Sequence, residues 1–185
     1  MTAENTLVGP AHLSIRVAAT DDAALLAELG MRTFVETFAE DNAAADMAEY
    51  VASAFSPRQL AIELADAASI FFVADVDGTA AGYAKLRAAA PTVRIDGRHP
   101  VELVRLYVLR TWLGRGVGEA LMRACFHRAL TAGHDVVWLG VWERNHRAQA
   151  FYRKWHFRPV GHHVFQLGSD AQTDVLMARA LPRAL

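Results

Sequence analysis

The 185-residue chain is 53% hydrophobic with a formal net charge of −1, enough to bury one sizeable core and short for two. That charge balance offers no basic face to nucleic acid, no apolar run approaches the roughly 20 residues of a bilayer span, and the start MTAENTLVGPAHL lacks the basic-then-apolar order of a secretory signal. The expectation is one cytoplasmic domain over 1–185, flexible over 1–12. Cys125 is the only cysteine, so neither an intrachain disulfide nor a thiolate zinc cluster is available.

Residues 14–17 predict a short strand, and Thr20, Asp21 and Asp22 are N-cap candidates for a helix with Leu25, Leu26 and Leu29 at core spacing. Helical patterning continues over 32–50, with Phe34 and Phe38 one turn apart. Between Arg32 and Arg58 stand Glu36, Glu40, Asp41, Asp46 and Glu49, with no Lys or Arg to offset them. That run reads either as a solvated face or as charge that gathers a polycationic substrate. Pro57 starts a further helix over 58–67, with Leu60, Ile62 and Leu64 as its apolar positions. Segments 70–76 and 80–87 flank Asp77-Gly78, a strong hairpin signal. Residues 88–100, with two prolines and a glycine, read as a surface loop.

Residues 101–109 (VELVRLYVL) predict a buried strand. Gly114, Gly116 and Gly118 then lead into a helix on which Val117, Leu121, Ala124, Cys125 and Arg128 recur at three- and four-residue steps. Cys125 on that face reads as a packed thiol. Unpaired amides at the helix start, aided by the helix dipole, make a phosphate site, although a tight strand-to-helix connection also explains the glycines. The spacing matches neither a P-loop nor a dinucleotide fingerprint. Residues 135–142 (DVVWLGVW) predict a parallel strand covered on both faces. Asn145 can cap a helix with Ala148, Phe151, Tyr152 and Trp155 inward, and two strands, 160–167 and 173–180, close the chain. The strand, helix, strand order implies a right-handed crossover.

The turn around Gly116 and Gly118, preceded by the strand end Leu106-Tyr107-Val108, resembles the acyl-CoA loop of the GNAT N-acetyltransferases, Gln/Arg-x-x-Gly-x-Gly/Ala. Leu113 stands where that pattern has Gln or Arg, and Arg110 where it often has Pro. Residues 138–145 (WLGVWERN) and 150–157 (AFYRKWHF) are similar to the same family's strand, Asn and helix, with His156 in place of a glycine. The stretch 165–174 (FQLGSDAQTD), with Arg32-Thr33-Phe34 and Glu36-Thr37-Phe38, resembles the bacterial spermidine/spermine N-acetyltransferase (PaiA-like) group. The resemblance covers most of 12–181.

The resemblance implies an α/β fold: a mixed twisted sheet of six or seven strands, helices on both faces, and a splay between two central parallel strands. It implies acetyl transfer from acetyl-CoA to a primary amine such as spermidine or spermine, by direct attack in a ternary complex and without a metal. Freeing the lone pair of an alkylammonium at pH 7 costs about 4.6 kcal/mol, so a group must take that proton. Glu102 is the candidate base, through a water, while an ion pair with Arg105 explains it equally well. Tyr152 is the candidate donor to the CoA thiolate, with a hydrogen-bonded core tyrosine as the alternative. Leu106 and Val108 would meet the pantetheine arm. The amides of Arg115, Gly116, Val117, Gly118, Glu119 and Ala120 would hold the diphosphate, with Arg110 or Arg115 adding charge. Asn145 would bond the pantetheine or only cap its helix, and Lys154 would reach a phosphate or only water. Glu36 and Glu40 are the substrate-binding candidates. Adjacent His162 and His163 point to opposite strand faces and share no metal. Trp138 and Trp142 read as core, or as a wall beside an aliphatic amine. Acetylation of protein N-termini or lysines is the second reading, and a non-catalytic CoA sensor the third; a homodimer is compatible with the sequence.

Overall fold

The computed structural model describes residues 12–88 and 93–182. Among them run seven strands, β1 (Leu13–Val17), β2 (Ser69–Val76), β3 (Thr79–Arg87), β4 (Pro100–Val108), β5 (Val136–Trp142), β6 (Arg158–Leu167) and β7 (Asp170–Ala180). Five α-helices accompany them: α1 (Ala23–Phe38), α2 (Ala44–Ala54), α3 (Pro57–Ala65), α4 (Val117–Thr131) and α5 (His146–Lys154). The strands form one sheet in the order β1-β2-β3-β4-β5-β7-β6. None of these helices is long and apolar enough to cross a membrane.

Local chemistry accounts for most boundaries. Asp77 and Gly78 both take positive φ, 50° and 78°, the geometry of a type I′ turn between twisted antiparallel strands. Ser56 caps α3 by accepting from the Gln59 N–H at 3.1 Å, with Pro57 in the first turn. The helical pattern over 32–50 is interrupted: Asn42 donates to the Phe38 carbonyl at 2.7 Å, closing α1 before α2 begins. Asp22 caps through a different bond from the one its position suggests, receiving the Ala19 N–H and a bidentate Arg16. Ile62, an expected core position on α3, is 58% exposed, while Leu60 is fully buried. Residues 1–11 of the expected flexible start (1–12) and 89–92 of the expected loop lie outside the described residues.

Two cores flank the sheet. On one face α4 packs Leu121, Met122 and Cys125 against Val101, Leu103, Val137 and Leu139. On the other, α1 to α3 bring Leu26, Phe34, Phe55 and Leu60 onto Phe71, Tyr83 and, at the rim of that core, Tyr107. Strands sandwiched this way must be apolar along most of their length.

Two irregularities in β4 position everything else. Its pairing with β3 slips between Lys85↔Arg105 and Leu86↔Leu103, which leaves Val104 as a bulge. Val101 and Leu103 therefore face α4 before the slip, and Leu106 and Val108 do so after it. Glu102, Arg105 and Tyr107 fall together on the opposite side. The second irregularity is in the parallel ladder to β5, which comprises only Pro100↔Val136, Val101↔Val137 and Glu102↔Trp138. Beyond it β4 and β5 continue without pairing, so the splay that the resemblance implied is present.

Arg105 pairs with Glu63 of α3 rather than with Glu102, donating from Nη1 at 2.7 Å and Nη2 at 3.2 Å, and Lys85 Nζ joins the same carboxylate at 2.8 Å. Burial would raise the Glu63 carboxyl, but Arg105 and Lys85 more than offset that and hold it below the usual carboxylate range. Lys85 is pulled down, first by burial and in part by Arg105 beside it. Because the folded pKa of Glu63 is depressed, its stabilisation is fully present above the unfolded value and is lost as pH falls through the folded one. Glu63→Gln leaves two cations without their anion. It is expected to lower the free energy of urea unfolding at pH 7 by about 3 kcal/mol, with the gap to wild type narrowing as acid protonates Glu63.

Candidate active site

The glycine turn supplies free main-chain donors. Gly114 and Gly116 have φ of 73° and 85°, and a Cβ at either would meet nothing within 4 Å. Backbone conformation rather than crowding therefore demands glycine there. Gly116 is the N-cap of α4, and no side chain caps the helix. The first bond of the helix runs from the Ala120 N–H to the Gly116 carbonyl at 3.0 Å, and the Arg115 N–H turns back to Trp112 at 3.4 Å. Arg115 and Ala120 thus drop out of the expected amide set, and the N–H groups of Val117, Gly118 and Glu119 have no acceptor within the helix. The Val117 side chain is itself core.

From this turn a cavity of about 1040 Å³ runs through the splay to the α1–α2 side of the sheet. Leu106, Val108, Gly116, Gly118, Glu119, Asn145, Tyr152, Lys154 and Glu102 all line it. Gln149 anchors α5 at its edge by donating to the carbonyls of Trp142 (3.2 Å) and Glu143 (2.8 Å), and Tyr152 follows one turn later. The Tyr152 ring packs edge-on against Phe151 and Phe157. Burial, with Cys125 adding a little, pushes its hydroxyl well above the ordinary tyrosine range, so it carries its proton at neutral pH. Asn145 does cap α5, accepting the Ala148 N–H at 3.1 Å. Glu102 is half-buried; burial raises its carboxyl, against the opposing pull of Arg87, Lys85 and His163. Burial drives the Cys125 thiol up to about 12, as befits a packed core group.

Four of the expected charged site residues lie outside the main cavity. Arg110 is bound to α1: its N–H meets Glu36 Oε2 at 2.8 Å, its guanidinium donates to the Glu36 carbonyl, and Glu40 lies 3.9 Å away. It does not line the main cavity. Arg115 also stands outside the lining, its guanidinium 5.2 Å from the Trp112 ring centre. Glu36 and Glu40 border a second cavity, about 460 Å³, beside the first. The acidic run is therefore neither unpaired nor simply solvated, since Asp46 also accepts the Ser169 N–H at 2.7 Å.

Further lining residues were not among the expected site residues, although Phe34, Phe38, Trp142, His163 and the stretch 165–174 stood out in the sequence. Arg123 of α4 and Arg147 of α5 add cations to the lining. On the far side Phe34, Phe38, Tyr50, Tyr107, Trp142 and Phe165 form aromatic walls, with Phe38 5.9 Å from Trp142 and Tyr50 5.4 Å from Phe165, centre to centre. Asp174 and His163 face the same space. Trp138, in contrast, stays in the interior at 4% exposure.

Residues 33–157 match the family model described as the acetyltransferase (GNAT) family. The chain belongs to that family. Within the GNAT family it is 35% identical over 154 residues to an uncharacterised N-acetyltransferase of Lactobacillus delbrueckii subsp. lactis, covering 83% of this chain and 88% of the relative. It is 36% identical over 160 residues to another from Mycobacterium tuberculosis, covering 86% and 98%. Its fold matches that of the PaiA N-acetyltransferase of Thermoplasma acidophilum, crystallised with coenzyme A, at a TM-score of 0.73 and 20% identity, over 92% of this chain and 99% of that one. The ribosomal-protein-S18-alanine N-acetyltransferase of Escherichia coli gives 0.67 at 18% identity, over 94% and 96%. This GNAT protein is an acyltransferase with acetyl-CoA as cosubstrate, which removes the sensor reading.

Because Glu36 already holds Arg110, Arg110→Ala is expected to leave CoA affinity nearly unchanged in titration calorimetry. Loss of a charge-assisted phosphate contact would instead cost about 1.5–3 kcal/mol, more than tenfold in the dissociation constant.

Proposed function

We propose that the protein acetylates a primary amine of a linear polyamine, spermidine or spermine being the type, by direct attack on acetyl-CoA in a ternary complex. The observation that carries this reading is the acceptor half of the cavity, where the carboxylates of Glu102 and Asp174 face a space walled by Phe38, Tyr50, Trp142 and Phe165. Ammonium groups find anions there, and methylene spacers find aromatic surface.

In this reading the diphosphate of CoA rests on the amides of Val117, Gly118 and Glu119, where the helix dipole favours negative charge. Arg123 and Lys154 add charge from the lining. The pantetheine arm lies along β4 beyond Glu102, where strand pairing with β5 has ended and main-chain groups of Leu106 to Val108 take the role of a missing neighbour. Asn145 keeps its amide nitrogen for the arm after its oxygen has capped α5. The thioester then sits at the parting of the strands, with the amine arriving from the aromatic side. A base lining the acceptor half takes the ammonium proton, Glu102 acting through a water being the candidate from the sequence, and Tyr152 protonates the departing thiolate. Glu40, 86% exposed at the rim, draws the cation in, while Glu36 holds Arg110 in place.

Thiol release from acetyl-CoA should be fast with spermidine and spermine and slow with short peptides and aminoglycosides. Preference for a peptide amine would replace the polyamine reading with the protein-acetylating one. Tyr152→Phe should lower kcat at least tenfold, a floor set beneath the roughly 10²- to 10⁴-fold of general acid–base catalysis, while CoA binding measured by calorimetry stays as in wild type.

A further inference from the structure

The stretch 165–174, selective in sequence, forms the end of the β6–β7 hairpin, and just beyond it His163 pairs with Asp174 across the two strands. Cross-strand partners share a sheet face. The registers Asp174↔Trp142, Leu176↔Gly140 and Trp138↔Glu102 therefore carry one face from His163 across to Glu102. On it Gly140 stands two residues past the last β4–β5 pair. A Cβ there would lie 2.9 Å from His163 Nε2 and 3.1 Å from Asp174 Oδ2, so the absent side chain is what lets the two polar groups converge beside the parting strands. Nε2 is 3.5 Å from Asp174 Oδ2 and, among the described residues, has no hydrogen-bond partner although the atom is buried. The Asp174 side chain is only 13% exposed, and His163 is its one ion-pair neighbour among the described residues. Buried polar atoms are rarely left unmatched without a functional cause.

We propose that His163, held and compensated by Asp174, is the group that takes the proton from the acceptor ammonium, in place of Glu102. This rests on the acetyl-transfer reading above. An imidazole, with an ordinary pKa of about 6.5, is closer to an alkylammonium at about 10.4 than a carboxylate at about 4.3, so an imidazole is the better-matched base. Glu102 from β4 and Asp174 from β7 face the same space as His163. Tyr50 of α2, its hydroxyl raised by burial, faces the same space. The nearby cations are occupied: Arg105 and Lys85 share Glu63, and Arg87 pairs with Asp66 at 3.6 Å. His162 points to the other face of β6.

The step balances as follows. The ammonium N–H bond breaks and its proton forms an N–H bond on the imidazole. The freed lone pair makes the C–N bond at the thioester carbonyl, and the C–S bond breaks with its electrons on sulfur. On collapse the nitrogen sheds a second proton while the thiolate gains one. The products are an amide, a thiol and one proton passed through His163 to water.

His163→Gln and Asp174→Asn, compared with wild type, test this with spermidine between pH 7 and 10 and with trifluoroethylamine, a primary amine largely neutral at pH 7. Each variant is expected to lose roughly 100-fold in kcat/KM for spermidine at pH 7, the lower end of what a general base contributes. That deficit should close as rising pH deprotonates the amine, be absent with trifluoroethylamine, and leave CoA affinity unchanged. A deficit equal at every pH and with both amines would show that the pair only shapes the cavity. No deficit at pH 7 would return the proton to Glu102. Either result overturns the proposal. If wild type ignores spermidine but turns over another basic amine, only the polyamine reading fails, and the same comparison on that amine decides the role of the pair. A wild type inert to all amines overturns both.

Discussion

The β4–β5 ladder ends after three residue pairs, and the site follows from that early ending. Two parallel strands in mid-sheet would ordinarily pair along their length and leave no free main-chain group between them. Here β4 runs on to Val108 and β5 to Trp142 without each other, and the interval between them becomes the middle of a cavity of about 1040 Å³. The free amides at the start of α4 lie at one end of this gap and the aromatic walls at the other. A nucleotide and an acceptor can therefore approach the same point from opposite faces of one sheet.

The strand bordering that gap is held from below. The Val104 bulge places Glu102, Arg105 and Tyr107 on one face of β4, and Arg105 is then fixed by Glu63, which also holds Lys85 of β3. Two cations on one buried carboxylate make a costly arrangement that only close geometry can support. It ties α3, β3 and β4 together beneath the acceptor space and leaves Glu102 without an ion pair among the described residues. At the mouth Glu36 does the same for the end of β4 by receiving Arg110, so a residue expected at the cofactor instead locks α1 onto the sheet.

Polar groups remain unmatched in the same region: His163 Nε2 and, deeper in the interior, Trp138 Nε1. The half-buried carboxylates of Glu102 and Asp174 stand near the former, each raised by its burial. Desolvated charges and orphaned donors concentrated at one place are the expected marks of a site built to meet a charged partner. The rest of the sheet shows the reverse, with Cys125, Met122 and Leu121 packed as ordinary core.

Features that depend on neighbours in the chain were legible from the amino acids alone. Asp77-Gly78 dictates its turn because few other residues accept two positive φ angles in succession. Gly114 and Gly116 mark the turn before α4 for the same reason, and the apolar runs of β4 and β5 announce strands covered on both sides. The sequence by itself thus determined the central strand, turn and helix, the order of elements and the family. Tertiary structure alone decided which charges serve the site. Glu36 meets Arg110 across 74 positions, and Glu63 meets Arg105 across 42. One bulge at Val104 changes the face on which every later side chain of β4 lies. His163 and Asp174 converge only because Gly140, on a third strand, has no side chain. Registers and long-range ion pairs arise from how strands slide and helices dock, and no local pattern of residues encodes that choice.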